Sequence, residues 1–305
     1  MDLRVTAEIL LRFYEDLAGR GLVEALPEID PRSGWHPMHD RLSFRQNTLD
    51  QNLMDLGISP HPRVVLAIEG DTEEIHVPKI WKALEYSDTP ELVRVLNLGG
   101  TDRDIQKLAV LAAAPLVSHK GTDSTREFWW LIKPPTCFMV AADPEAQFAP
   151  GEIRKTRDNI IEQIGNALKA QKVKVDDAEI QTLVDLYTWT QSCYEFAHFT
   201  DEELADGIIA VHPTCNGWSR DDLISALAYW RNLKKDIKEV WKRGTWDPQA
   251  SRVNGKWSSA VSKTRLAEAL WPALEQKIRL AMIDEAVPVP EIVKVVQRAY
   301  YKAQS

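Results

Sequence analysis

The sequence predicts an α/β protein in which helices flank a central, mostly parallel sheet, with an N-terminal helical and loop segment before it and a helical C-terminal lobe after it. Residues 64–68 (VVLAI) form a continuous apolar run, which is typical of a strand buried on both faces. Strand and helix patterns then alternate as far as residue 142, as they do in parallel sheets. After Pro213, helical periodicity dominates the chain.

The individual elements follow from the spacing of the apolar residues and from turn and capping signals. The expected strands cover residues 64–68, 92–98, 137–142 and about 187–196. The expected helices cover residues 73–86, 102–114 and 151–172, and a further helix is capped by Thr200 and Glu203. The helical patterns of the last third cover residues 219–243, 259–285 and 288–302.

These elements divide the 305 residues into three parts. Residues 1–60 combine a helical pattern with a proline-rich loop and are predicted to form a cap or connector. Residues 61–215 are predicted to form the α/β domain and residues 216–305 the helical lobe. At about 150 residues per domain, the chain is long enough for two parts that each bury a core.

The composition excludes several classes of protein. Acidic residues outnumber Lys plus Arg by 45 to 37, so nucleic-acid binding requires a local basic patch or bridging metal ions. The three cysteines follow no CxxC spacing, which argues against a disulfide framework or a zinc knuckle and favours a reducing cytoplasm. No apolar run reaches the roughly 20 residues of a membrane span, and no signal peptide is recognisable.

Acidic residues follow two of the predicted buried strands. Glu69 and Glu73 come after the first strand, and Asp143 and Glu145 come after the third. The carboxyl ends of neighbouring parallel strands meet at one edge of the sheet, where ligands bind. Four carboxylates in one crevice repel each other strongly unless cations lie between them. Oxygen ligands without Cys or His indicate Mg²⁺ or Mn²⁺.

Each acidic motif also has an ordinary structural alternative. Thr72 could cap the first helix, with the neighbouring acids favoured by the helix dipole. Asp143 could be the N-cap of a helix that has Pro144 at its first position. The sequence leaves both alternatives open.

The order of these motifs resembles the Toprim fold, which topoisomerases, primases and certain nucleases share and which has a glutamate after the first strand and Asp-x-Asp after a later one. The closest resemblance is to the nuclease half of the overcoming-lysogenisation-defect (OLD) endonucleases. It covers residues 60–285 and is carried by Glu69-Gly-Asp-Thr-Glu73, Asn97-Leu-Gly-Gly100 and Asp143-Pro-Glu145. Residues 193–196 are similar to a later acidic strand of that half, and residues 263–270 to its lysine-bearing helix.

The resemblance implies a two-metal nuclease. Glu69, Glu73, Asp143 and Glu145 would hold two ions about 4 Å apart, one activating a water and the other stabilising the leaving oxygen. Glu195 would complete the ligand set, and Lys263 would offset charge on the scissile phosphate. The catalytic residues implied are Glu69, Asp143 and Lys263.

Two features depart from the family pattern. Glu145 stands where the family usually has aspartate, and its longer side chain shifts the reach of the ligand by one methylene. No G-x-x-x-x-G-K-[ST] motif occurs, although larger members of the family carry an ATPase. Any ATPase that works with this chain would therefore be a separate subunit or part of a longer protein.

A basic stripe is predicted on the helix at residues 219–243. Its members recur at helical spacing beside an apolar face and could lie along the phosphate backbone of DNA; they are Arg231, Lys234, Lys235, Lys238 and Lys242. The alternative is a solvated face on which Asp236 and Glu239 form ion pairs along the helix. The tryptophans are predicted to be mainly core residues, and His76 a surface residue or an indirect contributor to the site.

The leading hypothesis is a cytoplasmic, Mg²⁺-dependent DNA endonuclease, with a role in anti-phage defence that follows only from the resemblance. The rival is a non-catalytic Toprim-like subunit that regulates or supports an ATPase complex. A primase or topoisomerase is less favoured because no zinc module or nucleophilic tyrosine domain is recognisable. DNA and a separate ATPase subunit are the expected partners, and homo-oligomerisation stays open.

Overall fold

The computed structural model describes residues 17–22, 62–86, 92–100, 104–113, 117–123, 126–131, 136–170, 176–243, 245–247, 252–254 and 256–304. The strands within these ranges are β1 (Val64–Ile68), β2 (Val93–Asn97), β3 (Val117–Asp123), β4 (Arg126–Leu131), β5 (Cys137–Ala142), β6 (Val184–Thr188), β7 (Thr245–Asp247) and β8 (Arg252–Asn254). Four of them form a parallel sheet in the order β2-β1-β5-β6. The other four form two antiparallel pairs, β3 with β4 and β7 with β8.

Helices cover both faces of the sheet and make up most of the chain after residue 190. They are α1 (Asp71–Ala83), α2 (Ile105–Ala113), α3 (Ile153–Ala170), α4 (Asp177–Thr182), α5 (Tyr194–His198), α6 (Asp201–Val211), α7 (Arg220–Asn232), α8 (Glu239–Arg243), α9 (Lys263–Ile283) and α10 (Glu291–Gln304). No helix of these described ranges is long and apolar enough to cross a lipid bilayer.

The sheet register aligns the ends of its strands. Ile68, the last residue of β1, pairs with Asn97 on one side and with Ala141 on the other. The residues that follow β1, β2 and β5 therefore lie at the same edge of the sheet.

Each face of the sheet has its own hydrophobic core. On one face, Phe138 and Val140 of β5 pack with Ile160 and Ile164 of α3. On the other face, the core runs without interruption from β1 through α1 into the C-terminal helices, where Leu270 and Val296 are fully or almost fully buried. The helices after residue 216 thus pack directly on the α/β part and share its core.

The predicted α/β class, with a parallel sheet and a helical C-terminal segment, is confirmed. The strand expected at about residues 187–196 is wrong in its second half, because β6 ends at Thr188 and residues 194–198 form α5. The β7–β8 hairpin also interrupts the region predicted to be entirely helical. Of the predicted N-terminal segment, residues 1–16 and 23–60 lie outside the described part of the chain.

The single helix predicted for residues 219–243 is also wrong. Helix α7 ends at Asn232, Lys234 adopts a left-handed backbone with φ 53°, and α8 begins only at Glu239. The amide of Lys235 donates to the carbonyl of Trp230, which closes the end of α7. The basic residues after position 233 therefore do not continue the helical spacing of Arg231.

Candidate functional site

Glu69 joins the ends of β1, β2 and β5. It directly follows β1, and its side-chain Oε2 accepts a hydrogen bond of 2.7 Å from the backbone amide of Asp143. Its own carbonyl accepts from the amide of Gly100 at 3.1 Å, beyond the end of β2. The predicted proximity of the first and third strand ends is therefore present in the structure.

Glu73 lies in the first turn of α1 and is only 3% exposed. Gly70 precedes the helix, and a Cβ atom at that position would lie 3.3 Å from Oε2 of Glu73. The glycine thus leaves room for the buried carboxylate. The capping alternative for Thr72 is wrong, because its hydroxyl donates to Oε1 of Glu195 at 2.8 Å.

Asp143 and Glu145 follow β5 in an irregular segment. Asp143 is not a helix cap, because no helix begins at Pro144 and the next element is a 3₁₀ turn at Ala146–Phe148. The Oδ1 atom of Asp143 instead accepts from the amide of Tyr194 at 3.1 Å. Glu145 is exposed, and its charge raises the pKa of Glu69. The structure thus places both motifs at one crevice.

Glu195 and Lys263 reach the same crevice from the C-terminal half of the chain. Glu195 lies in the first turn of α5 and is 1% exposed. Lys263 is the first residue of α9, and its Nζ atom lies 3.6 Å from Oε1 of Glu195. The six predicted acidic and basic site residues are therefore assembled from four separate segments of the chain, at residues 69–73, 143–145, 195 and 263.

Burial and mutual repulsion disfavour the charged forms of the carboxylates. Desolvation and the charge of Glu195 raise the pKa of Glu73 to about 8. Desolvation and the charges of Glu69 and Glu73 raise the pKa of Asp143 to about 9. Desolvation also raises the pKa of Glu69, although the bond from the Asp143 amide opposes this shift. Positive charge at this crevice would lower all three pKa values.

Lys263 supplies part of that positive charge. Burial alone would lower its pKa, but Glu195, Asp236 and Glu73 outweigh burial and raise it. Lys263 therefore stays protonated throughout the neutral pH range.

Asp236 is a site residue that sequence reasoning missed. It lies between α7 and α8, its side chain is 13% exposed, and it pairs with Nζ of Lys238 at 2.6 Å. Burial would raise its pKa, but Lys263 and Lys238 lower it overall. Its charge in turn raises the pKa of Glu69 and of Asp143. The sequence carried no signal for this placement, because the position depends on the break after α7.

The predicted basic stripe is not a continuous surface. Arg231 is held within the protein: it forms an ion pair with Asp201 at 2.8 Å and donates to the carbonyls of Phe196 and Phe199. Lys238 pairs with Asp236, close to the carboxylates. Three members are exposed, namely Lys234, Lys235 and Lys242. Nucleic-acid binding by these residues stays a prediction.

His76 is a core residue, so of its two predicted roles the surface placement is wrong, and an indirect contribution to the site stays a prediction. It is fully buried, and its two ring nitrogens lie 2.8 Å from the hydroxyl of Tyr194 and 2.8 Å from the carbonyl of Ala267. Because a carbonyl only accepts, Nε2 carries the proton and Nδ1 accepts from the tyrosine. His76 thereby connects α1, α5 and α9, which carry Glu73, Glu195 and Lys263.

The chemistry of the donor set fits a hard divalent cation, but its present conformation is not a ready-made site. Within the described ranges, no three His, Cys, Asp or Glu side chains form a group that could hold a metal ion. Glu69, Asp143 and Glu195 are instead engaged by the amide of Asp143, the amide of Tyr194 and the hydroxyl of Thr72. Metal binding would require some of these side chains to rotate.

Comparison with protein-family models and with curated proteins finds no match. Among solved structures, the chain is similar to the C-terminal region of the Xanthomonas campestris pv. campestris OLD protein, with 18% identity and a TM-score of 0.41, covering 80% of this chain and 96% of that one. It is also similar to the C-terminal region of the Burkholderia pseudomallei OLD protein, with 15% identity and a TM-score of 0.38, covering 80% and 99%. These structures come from the family that the sequence motifs resemble. Because both TM-scores are low, the α/β fold is established by the strand order and packing described above and not by these similarities.

Proposed function

We propose that this chain is a metal-dependent nuclease that hydrolyses phosphodiester bonds in DNA. The observation that carries the proposal is the cluster of buried carboxylates around Lys263 at the carboxyl edge of a parallel sheet. Glu73 and Glu195 are almost fully buried there, although burying carboxylates with so little positive charge is costly. Buried charged groups that reduce stability in this way are typical of functional sites.

Mg²⁺ or Mn²⁺ held by Glu69, Glu73, Asp143, Glu145 and Glu195 would activate a water molecule and stabilise the leaving oxygen. The protein's own contribution is to bring these side chains to one edge of the sheet. The bond from the Asp143 amide orients Glu69, and Gly70 leaves space for Glu73. Both restraints come from segments next to the strand ends, where the backbone is well anchored.

Lys263 is proposed to contact the scissile phosphate. Its ammonium lies in the first turn of α9, beside Glu195, and the surrounding acids keep it protonated. A fixed positive charge at this point would offset the negative charge that builds on the phosphate in the transition state.

The loop after β2 contains two glycines, and we propose that a DNA strand approaches the carboxylates past this loop. Gly99 and Gly100 have φ values of 63° and 110°, and an added Cβ at either position would meet no atom of the described residues within 4 Å. Gly100 lies beside Glu69, whose carbonyl accepts a hydrogen bond from the Gly100 amide. A side chain at Gly99 or Gly100 would strain the backbone and would narrow the space through which DNA approaches Glu69.

A plasmid-nicking assay with Mg²⁺, Mn²⁺ or EDTA tests this proposal. We expect nicking with a divalent ion, none with EDTA, and none by a folded Glu69→Ala protein. The matched control is Glu162→Ala, because Glu162 is an exposed acid on α3. Equal nicking by Glu69→Ala and wild type would exclude the proposed site.

A non-catalytic Toprim-like subunit is the second candidate, and the hydrogen-bonded state of the carboxylates favours it. In that case the carboxylates would bind a cation without turnover, and neither Mg²⁺ nor Mn²⁺ would support nicking, alone or with a candidate ATPase. Isothermal titration with Mn²⁺ tests the metal site that both candidates share. Mn²⁺ should bind to the wild-type protein, and this binding should be lost in Glu73→Gln, so nicking alone separates the two candidates.

The same proposal includes a cytoplasmic location and a role in anti-phage defence. All three cysteines are buried and free, which suits a reducing compartment. The defence role depends on the family resemblance alone. It predicts that expression of the wild-type chain, but not of Glu69→Ala, lowers the plating efficiency of a sensitive phage.

A further inference from the structure

Helices α1 and α9 lie side by side and run in the same direction. Near their starts, Nε2 of His76 donates to the carbonyl of Ala267 at 2.8 Å. Three residues further along α1, Lys79 pairs with Glu268, and Lys82 and Ala83 line a cavity together with Trp271 and Glu275 of α9. The contacts advance together along both helices, so both begin at the crevice that contains Glu73 and Lys263.

A cavity of about 380 Å³ lies between these helices, about two to three turns beyond the carboxylates. It is lined by Lys79, Lys82 and Ala83 of α1 and by Trp271 and Glu275 of α9. Its volume lies within the range of about 300–1,000 Å³ that small-ligand sites occupy. The two helices that carry the candidate catalytic groups therefore also form a second concave surface.

The lining combines an aromatic surface with positive charge. The ammonium of Lys79 lies 5.6 Å from the ring centroid of Trp271. His76 packs against the same indole at 6.0 Å and so supports it from the core. Lys82 is exposed and forms no ion pair with any residue that the structure describes. The charge of Glu275 is partly neutralised by Arg279 at 3.0 Å.

We propose that this cavity binds one nucleotide of a single-stranded segment, with the base stacked on Trp271 and the phosphate at Lys82. Stacking on an aromatic side chain suits any base, and a lysine ammonium meets a phosphate as a point charge. Lys79 is already paired with Glu268, so Lys82 is the lysine of the lining whose charge is available to a phosphate. This inference rests on the proposed nuclease function and names a contact that its substrate makes.

The position of the cavity is consistent with a bound strand. Eight residues separate Lys263 from Trp271, which is about 12 Å along a helix. A stacked strand advances about 3.4 Å per nucleotide. The bound nucleotide would therefore lie about three to four steps from the phosphate beside Lys263, so short substrates would not reach both places.

Binding of a fluorescein-labelled ten-nucleotide oligo(dT) by the full chain in EDTA tests the inference without requiring turnover. Fluorescence anisotropy should show about tenfold weaker binding by Trp271→Leu and little loss by Trp271→Phe, which keeps a stacking surface. Lys82→Glu should weaken binding and reduce the salt slope by about one. Lys155→Glu is the matched control, because Lys155 is an exposed lysine on α3.

Three results would overturn the inference. The first is oligo(dT) binding by a folded Trp271→Leu protein that equals wild type, with folding checked by thermal melting. The second is loss of binding in Trp271→Phe as severe as in Trp271→Leu, which would indicate a packing role. The third is displacement of the oligonucleotide by AMP at the same nucleotide concentration, which would indicate a site for free nucleotides.

The cleavage assay separates this inference from the proposed function. If wild type nicks plasmid but Trp271→Leu binds and cleaves normally, the nucleotide site is wrong and the nuclease stands. If binding in EDTA depends on Trp271 but no metal supports cleavage, the nucleotide site stands and the nuclease proposal fails.

Discussion

His76, His198 and Glu73 are all almost fully buried, but the hydrogen bonds and charges around the core histidines differ from those around the edge carboxylates. His198 donates from Nδ1 to the carbonyl of Tyr194 at 2.8 Å and accepts at Nε2 from the amide of Ile292 at 2.9 Å. His76 is paired at both ring nitrogens in the same way. Burial lowers the pKa of each histidine to about 4, so both are neutral at pH 7.

The carboxylates instead lie close to other acids. Glu73 and Asp143 have pKa values raised to about 8 and about 9 by burial and by neighbouring carboxylates. A neutral, fully paired imidazole stabilises a core, whereas a cluster of like charges destabilises the fold unless positive charge joins it. The comparison thus shows that the histidines are satisfied within the core, whereas the carboxylates are not, and it is for the carboxylates that binding or catalysis is proposed.

The largest expected effect comes from removing the ammonium of Lys263, which is the positive charge that already lies beside the carboxylates. Lys263→Ala should lower the single-turnover cleavage rate by about 10² to 10³, equivalent to about 3–4 kcal/mol, because the phosphate loses a fixed cation in the transition state. Lys263→Arg should restore only part of the rate, since its planar fork places charge differently. Rates are measured at saturating Mg²⁺, and DNA affinity in Ca²⁺. Equal losses of rate and affinity would contradict this role.

The histidines should make the fold sensitive to acid. Their folded pKa of about 4 lies below the ordinary value of 6.5, so their contribution is complete above pH 6.5 and is lost as the pH falls towards 4. The loss is at most about 3 kcal/mol for each histidine. Urea unfolding between pH 4 and 7 measures it. The glutamine in His198→Gln cannot titrate. If its free energy of unfolding depends on pH as steeply as that of wild type, His198 is not the source of the acid sensitivity.

The carboxylates should produce the opposite trend. The folded pKa of Glu73, about 8, exceeds its ordinary value of 4.5, so its favourable contribution is complete below pH 4.5 and is lost as the pH rises through 8. Glu73→Gln removes the charge and should raise the free energy of unfolding in EDTA at pH 8 by about 1–3 kcal/mol. The difference in the free energy of unfolding between Glu73→Gln and wild type should vanish near pH 4.5. A less stable Gln variant at pH 8 would show that repulsion does not govern this site.

Much of the fold follows from local patterns. The run at residues 137–142 matches β5 at both ends, and the Thr200–Glu203 capping box forms as predicted. Local signals suffice here because a buried strand is continuously apolar and a capping box involves residues only three positions apart. The placement of Glu69 and Asp143 after neighbouring parallel strands follows from the same patterns.

The sequence by itself thus determined the parallel α/β class, the ends of β1 and β5 and the acids that follow those two strands. Only the tertiary structure decided that Glu195 reaches the site from a helix, that His76 is a core residue and that Asp236 joins the crevice. Thr72 and Glu195 are 123 positions apart, and His76 and Ala267 are 191 apart. Such contacts form when packing of the C-terminal helices on the sheet brings distant segments together, and no local period or propensity encodes that proximity.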